Sequence, residues 1–357
     1  MENKFLGEKL IFIISQPRSG STLLQRVLAG SPEVQTSAET WLMLHPVYGR
    51  KEREHIQTDY NSSWARDAVE EFLDHYTDGR DVYDDAIRAW AGVIYKNALK
   101  KQDKKYFLDK TPRYFFIIKE LYALFPKAKF IFLLRNPMAV LASELNTYVK
   151  GDWPVLGRFS PDLVDAPGWI LEGIEHLGAD AITIHYEEFV SDPQMNIDLL
   201  CRKLGIDFHE RMLDYSMTPK PVGKYNDPKG INQHSSTNTA SIEKWRAMLD
   251  DDQALLFARD YLEALGKETI SRLGYDYEEL FQFLHSRTLS NHRLYPWSIA
   301  IRPKAEWTFR QHFVSGLYFS RREHGWFKGT LFTMILHFKI LARKFLNALS
   351  SPDNRPK

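Results

Sequence analysis

The chain has 357 residues, 44% of them hydrophobic, which suits one large α/β domain with additions or two small domains. A single cysteine, Cys201, excludes an internal disulfide framework and fits a reducing compartment such as the cytoplasm. No run of 18 apolar residues exists to span a bilayer. The net charge of +1 hides an asymmetry: residues 281–357 hold 13 Lys and Arg against 3 Asp and Glu, a net +10 that leaves −9 for the rest and suits an anionic partner.

The first nine residues carry no signal-peptide pattern. Leu10 to Ile14 then read as a buried strand of a parallel sheet. A turn with Pro17 and Gly20 follows, and a helix begins at Ser21, with Leu23, Leu24, Val27 and Leu28 spaced to face a core. The first N–H groups of a helix lack partners within it and the macrodipole adds positive charge, so this junction suits an anion. Arg18 and the hydroxyls of Ser19, Ser21 and Thr22 would complete a phosphate cradle. It is not a Walker A loop, because no lysine follows Gly20 and Ser15 occupies the place of the first glycine. From these residues alone an ordinary strand-to-helix turn with a surface arginine stays open.

Glu33 to Thr36 form a short second strand leading to Ser37-Ala-Glu-Thr-Trp. Residues 64–76 and 82–100 read as two amphipathic helices within an insertion, about 51–103, over the sheet edge. Its Trp64, Tyr76, Tyr83, Trp90 and Tyr95 either serve an acceptor or belong to the core. Tyr106-Phe-Leu is a strand, followed by a helix capped by Asp109 or Thr111, with Pro112 in its first turn. Lys129 to Leu134 form the second clear buried strand, ending at Arg135-Asn-Pro and a helix with Val140, Leu141 and Leu145. Ala181 to Tyr186 form another strand, with a helix over 193–204, a loop-rich stretch from 219 to 239, and helices over 241–249 and 252–265. Alternating strands and helices imply a parallel three-layer α/β sheet.

Pro17-Arg18-Ser19-Gly20-Ser21-Thr22 resembles the 5′-phosphosulfate loop of sulfotransferases, and Arg135 with Ser143, eight positions apart, resembles that family's 3′-phosphate pair. The resemblance covers about residues 8–265. It is nearer the tyrosylprotein, heparan and polyketide-associated branches than the small-phenol branch. It implies the P-loop-like sulfotransferase fold, with residues 1–280 as the enzyme domain and 281–357 as a basic, aromatic-rich C-terminal extension. It also implies 3′-phosphoadenosine 5′-phosphosulfate (PAPS) as cosubstrate, with no metal. Glu39, in the Glu39-Thr40 pair, falls where the family carries its general base. Asp109-Lys110-Thr111-Pro112 resembles the lysine-bearing segment, and the small-phenol histidine is missing, since Pro112 stands two residues past Lys110. Tyr186 matches a tyrosine beside the adenine, and Lys244-Trp245 a segment contacting the cofactor phosphates.

The chemistry asks for these residue types. In-line sulfuryl transfer to a hydroxyl or amine depends on positioning and charge stabilisation, here by Arg18 and Lys110, with a carboxylate taking the acceptor proton. Rival readings are a P-loop-type small-molecule kinase and a non-catalytic nucleotide-binding or membrane-docking protein. His45 and His185 read as structural or solvated; so does His234, unless it lines the acceptor site. The acceptor class, whether small molecule, glycan or lipid, is left open, and nucleic acid is not expected.

Within residues 328–349 a helix is expected from Leu331. At about 100° per residue His337, Lys339, Arg343, Lys344 and Asn347 share one arc, and Met334, Phe338, Leu341, Phe345 and Leu349 oppose it. Two readings are open: the apolar side packs on the domain, or it makes peripheral contact with an anionic membrane.

Overall fold

The computed structural model describes residues 4–48, 62–214, 239–291 and 293–349. Five parallel strands form its sheet: β1 (Leu10–Ser15), β2 (Val34–Thr36), β3 (Tyr106–Asp109), β4 (Lys129–Leu134) and β5 (Ala181–His185). Their order is β2-β3-β1-β4-β5, with Ile13 of β1 opposite Ile131 of β4 and Phe12 opposite Asp109 of β3. Alternate side chains of a strand point to opposite faces, so a continuous apolar run signals burial on both. Phe12, Ile14, Phe130 and Phe132 accordingly pack on one face with Tyr114, Leu121 and Phe125. Ile11, Ile13, Ile131 and Leu133 fill the other with Leu24, Leu28, Phe189 and Leu200. This is the three-layer P-loop-like architecture with a parallel sheet and helical additions that the sequence implied. Cys201 is buried there, and burial pushes its thiol up to about 12.

The insertion helices run Ser62–Tyr76 and Arg80–Gln102. Ile87, Ala91, Tyr95 and Leu99 of the second face the core, so Tyr95 is a core residue, whereas Tyr76 and Trp90 are exposed. The side chain of Trp64, like all of residues 215–238 with His234, lies outside what is described. After β3 the chain forms a 3-10 turn, Pro112–Ile117, before the helix Ile118–Leu124. Neither expected cap acts as one: the Thr111 side chain makes no capping bond, and Asp109 is turned toward a set of hydroxyls described below. Pulling a buried carboxylate into such a set satisfies more of its lone pairs than one cap N–H would.

A third core joins Val140 and Leu141 to Leu255, Phe257 and Tyr261 of the helix Asp252–Arg272, and Tyr295, Trp297 and Trp307 enter the same cluster. The chain ends in a hairpin of helices Phe309–His324 and Trp326–Leu349. The wheel groups His337 with the cations of the basic arc; in the structure it is buried between the two helices, and Met334, Phe338 and Leu341 are exposed. Helical periodicity sorts residues into arcs but does not say which arc meets a neighbour. Side chains from Lys344 onward, including Phe345, Asn347 and Leu349, lie outside the described residues.

Candidate active site

All five strands end at the same edge of the sheet, where ligands of open α/β folds sit. Each end contributes one of the expected residues. In strand order these are Glu39 after β2, Lys110 after β3, Arg18 after β1, Arg135 after β4 and Tyr186 after β5. Strands stand about 4.8 Å apart, so chain segments far apart in sequence become neighbours along one row.

The central loop is shaped by backbone geometry. Gly20 at the start of the helix Ser21–Ala29 has φ of 89°. A Cβ there would lie 2.5 Å from the Tyr186 ring, so both conformation and space require glycine. Arg18 also has positive φ, 68°, a conformation that persists where surroundings enforce it. Its Nε donates to Ser143 Oγ at 3.0 Å and its Nη2 to Thr147 Oγ1 at 3.3 Å, and the guanidinium lies 5.6 Å from the Tyr148 ring centre. Pro17 and Thr22 are half-buried beside it; Ser19 and Ser21 are buried.

Arg135 locks this loop from the β4 side. Its Nη1 donates to the Arg18 carbonyl at 2.8 Å and its Nη2 to the Ser241 carbonyl at 3.1 Å, while the guanidinium lies over Tyr186 at 4.2 Å. Tyr186 and Ser241 share a 2.6 Å hydroxyl contact. Glu187 accepts from the Asn136 N–H and the Tyr275 hydroxyl, fixing the start of the β4 loop. Lys244 is exposed, and it is Ser241, three residues earlier, that reaches the cradle. Glu187 lies in the Tyr186-Glu187-Glu188 segment, of which only the tyrosine has an expected role; Thr147, Tyr148, Ser241 and Tyr275 carry no motif, and each acts through a long-range contact.

Two donors in this region, Ser19 Oγ and Arg135 Nε, are buried without a hydrogen-bond partner. Burial lowers the Arg135 pKa, a cost that an anion beside it would offset. Arginines plus unsatisfied donors at a helix N-terminus fit a phosphorylated nucleotide.

On the other side of the row, Lys110 Nζ donates to Glu39 Oε1 at 2.8 Å, with Lys110 1% and Glu39 19% exposed. The pair rests on Asp109. Its Oδ2 accepts from Thr40, Tyr95 and Tyr114 at 2.8, 2.7 and 2.9 Å, and its Oδ1 from Thr111 at 3.3 Å. Thr40 adjoins Glu39, so this clamp fixes the carboxylate's backbone against β3. Burial pushes the Asp109 carboxyl above its ordinary range, with the four hydroxyls pulling the other way.

A second acidic group lies beneath the row. Asp162 pairs with Arg113 at 2.8 Å, and its backbone carbonyl accepts from Gln16 at 3.0 Å. Glu144, next to Ser143, is fully buried with neither oxygen hydrogen-bonded. Burial first, and then the Asp162 charge, raises it to about 8. Nothing in the sequence marks Glu144, because an acid on a helix normally faces water.

A family model described as the sulfotransferase family matches residues 11–210. Nodulation protein NoeE of Sinorhizobium fredii is 27% identical over 295 residues, covering 75% of this chain and 66% of that protein, so the chain spans just under two thirds of that relative's length. A putative protein-tyrosine sulfotransferase of Caenorhabditis briggsae is 24% identical over 275 residues, covering 74% of this chain and 91% of that protein. The sulfotransferase domain from the curacin biosynthetic pathway matches at 22% identity and a TM-score of 0.48, over 68% of this chain and 92% of that one.

Proposed function

Because the chain belongs to the sulfotransferase family, we propose that it moves the sulfuryl group of PAPS onto a hydroxyl or amine of a carbohydrate, lipid or other metabolite, with Glu39 as general base. The observation that carries this reading is the row at the strand ends: a carboxylate–lysine pair on one side, an arginine anion cradle on the other, and the Arg18 loop between.

PAPS bound there supplies an activated sulfuryl group on a phosphate leaving group. Arg135, Ser143 and Tyr186 hold the nucleotide end, with the 3′-phosphate against Arg135 and Ser143. The loop 17–22 takes the 5′-phosphosulfate. Glu39 accepts the acceptor proton, and Lys110, held against it at 2.8 Å, keeps that carboxylate in place until the acceptor arrives. Arg18 and Lys110 then neutralise charge that moves onto the leaving oxygen, a role that in other enzymes is worth about 2.7–4 kcal/mol per donor. These cations do the work that magnesium does for a kinase, so the transfer needs no divalent metal. The setting is a reducing compartment such as the cytoplasm; no described helix is long and apolar enough to cross a membrane.

The test is transfer of labelled sulfate from PAPS to a panel of sugars, lipids, phenols and amines in the presence of EDTA. Transfer to at least one class is expected. Magnesium-dependent phosphate transfer from ATP with no sulfate transfer would replace this reading with that of a kinase.

A further inference from the structure

The C-terminal hairpin is built inside out relative to the rest of the molecule. Its two helices are antiparallel and touch through small and polar residues. Gly329 crosses the first helix so closely that a Cβ would lie 2.3 Å from the Ser320 carbonyl oxygen, and one on Gly316 would lie 3.2 Å from the His337 ring. Thr333 and His337, 1% and 7% exposed, complete the inner face, with Phe309 and Phe313 set edge-on to the imidazole. The hairpin is fastened to the body by its first helix. Val314, Tyr318 and Phe319 pack on the third core, and Trp153 donates to the Tyr318 hydroxyl at 3.0 Å.

The outward side of the second helix is apolar. Phe327 and Phe338 are 82% and 74% exposed, and Leu331, Met334, Ile335 and Leu341 are about half exposed. At 100° per residue these six fall within an arc of about 120°, and over 14 residues they make a strip roughly 21 Å long. Lys328 and Lys339 lie just beyond this arc and Arg343 farther round, and past the two lysines Phe332, Leu336 and Ile340 are about half exposed as well, so the cations sit between apolar side chains. Over residues 309–343 there are six Lys and Arg and one acid, Glu323, a net +5. Small residues between helices and apolar residues outward with long cationic side chains among them suit a helix lying in a membrane interface, where apolar side chains enter the acyl boundary and the cations snorkel to headgroup level. A second copy of the chain suits this face less well, since docking two such faces would bring the cations of both together.

We propose that the outward face of the helix Trp326–Leu349 docks this protein on the surface of an anionic lipid bilayer. Docking is electrostatic at first approach and then fixed by the six apolar side chains. Removing the charge of Lys339 and Arg343 should weaken it about fivefold per cation.

The experiment is co-sedimentation of the full chain with vesicles of phosphatidylcholine alone and of phosphatidylcholine with one quarter phosphatidylglycerol. The full chain should pellet with the anionic vesicles at low salt and be released by high salt. The triple variant Met334→Ser/Phe338→Ser/Leu341→Ser should lose at least tenfold in partitioning, and Lys339→Gln/Arg343→Gln about 25-fold, on the order of fivefold for each cation. All these positions are exposed, so melting temperatures should stay unchanged, which separates lost docking from lost fold. A full chain that ignores anionic vesicles at low salt overturns the proposal. So does a full chain that sediments as a dimer in solution while the triple variant sediments as a monomer, because the strip then serves a second copy.

Discussion

The two halves of the strand-edge row are prepared differently. On the β2–β3 side every charged group has its partner before any ligand arrives: Lys110 with Glu39, and Asp109 with four hydroxyls. On the β1–β4 side, Ser19 Oγ and Arg135 Nε are buried donors without acceptors. A buried pair is held in place by its partners, whereas unsatisfied donors cost free energy that an incoming anion would return as affinity. The contrast teaches a division of labour. In the proposed scheme the half assigned to proton chemistry is positioned in advance, and the half assigned to the nucleotide would be completed by its ligand.

Substitutions on either side should therefore fail in different ways, and the largest effect belongs to the first half. Glu39→Gln keeps shape but cannot take a proton, so kcat should fall by about 10²–10⁴-fold. The affinity for 3′-phosphoadenosine 5′-phosphate should stay within about twofold. Full turnover in steady-state assays would move the base elsewhere, with His234 the next residue to test. Arg135→Ala addresses the other half. It should weaken binding of the same nucleotide by about 10–150-fold, the value of a charged hydrogen bond of roughly 1.5–3 kcal/mol. In calorimetry the wild type should prefer this nucleotide to AMP and the variant should not; equal affinities in the wild type would remove the anion half from the scheme.

A smaller effect tests whether preassembly itself matters. Asp109→Asn keeps the size but weakens bonds from Thr40, Tyr95 and Tyr114. Urea unfolding should show a loss of about 1–3 kcal/mol, with kcat lowered and nucleotide affinity unchanged. An affinity that falls as far as kcat would mean that the halves are not separate.

The last effect, on stability alone, concerns Glu144, beneath the row. Its folded-state value of about 8 lies above the ordinary 4.5, so between these pH values the unfolded chain loses a proton that the folded protein keeps. Stability from this group is therefore fully present below about pH 4.5, declines as pH rises, and is gone above about pH 8. Glu144→Gln should flatten that slope in thermal unfolding between pH 5 and 8 and stabilise the protein at pH 8 by on the order of 1–3 kcal/mol. Identical slopes for the two proteins would show that Glu144 is ionised throughout.

Much of the fold was legible because its signals are local. The runs at 10–15 and 129–134 are apolar on both faces, so their spans could be read directly, as could the turn around Gly20. Helix Phe309–His324 is not legible in this way: its apolar residues are split between a side that meets the third core and a side that meets His337, and the single-face pattern is blurred.

What the sequence marked by itself was a set of candidates: the loop Pro17 to Thr22, Arg135 and Ser143, the acid at Glu39, the lysine at Lys110 and the basic end of the chain. Tertiary structure alone decided their arrangement. The order β2-β3-β1-β4-β5 brings Glu39 to Lys110 across 71 positions and Arg135 to the Arg18 carbonyl across 117. It also decided that Asp109 would clamp rather than cap, that Glu144 would be buried, and that His337 would turn inward while Phe338 turned out. The reason is physical. Propensity and periodicity act over a few residues, whereas burial and partnership depend on which distant surface arrives to exclude water, and that is set only when the whole chain has packed.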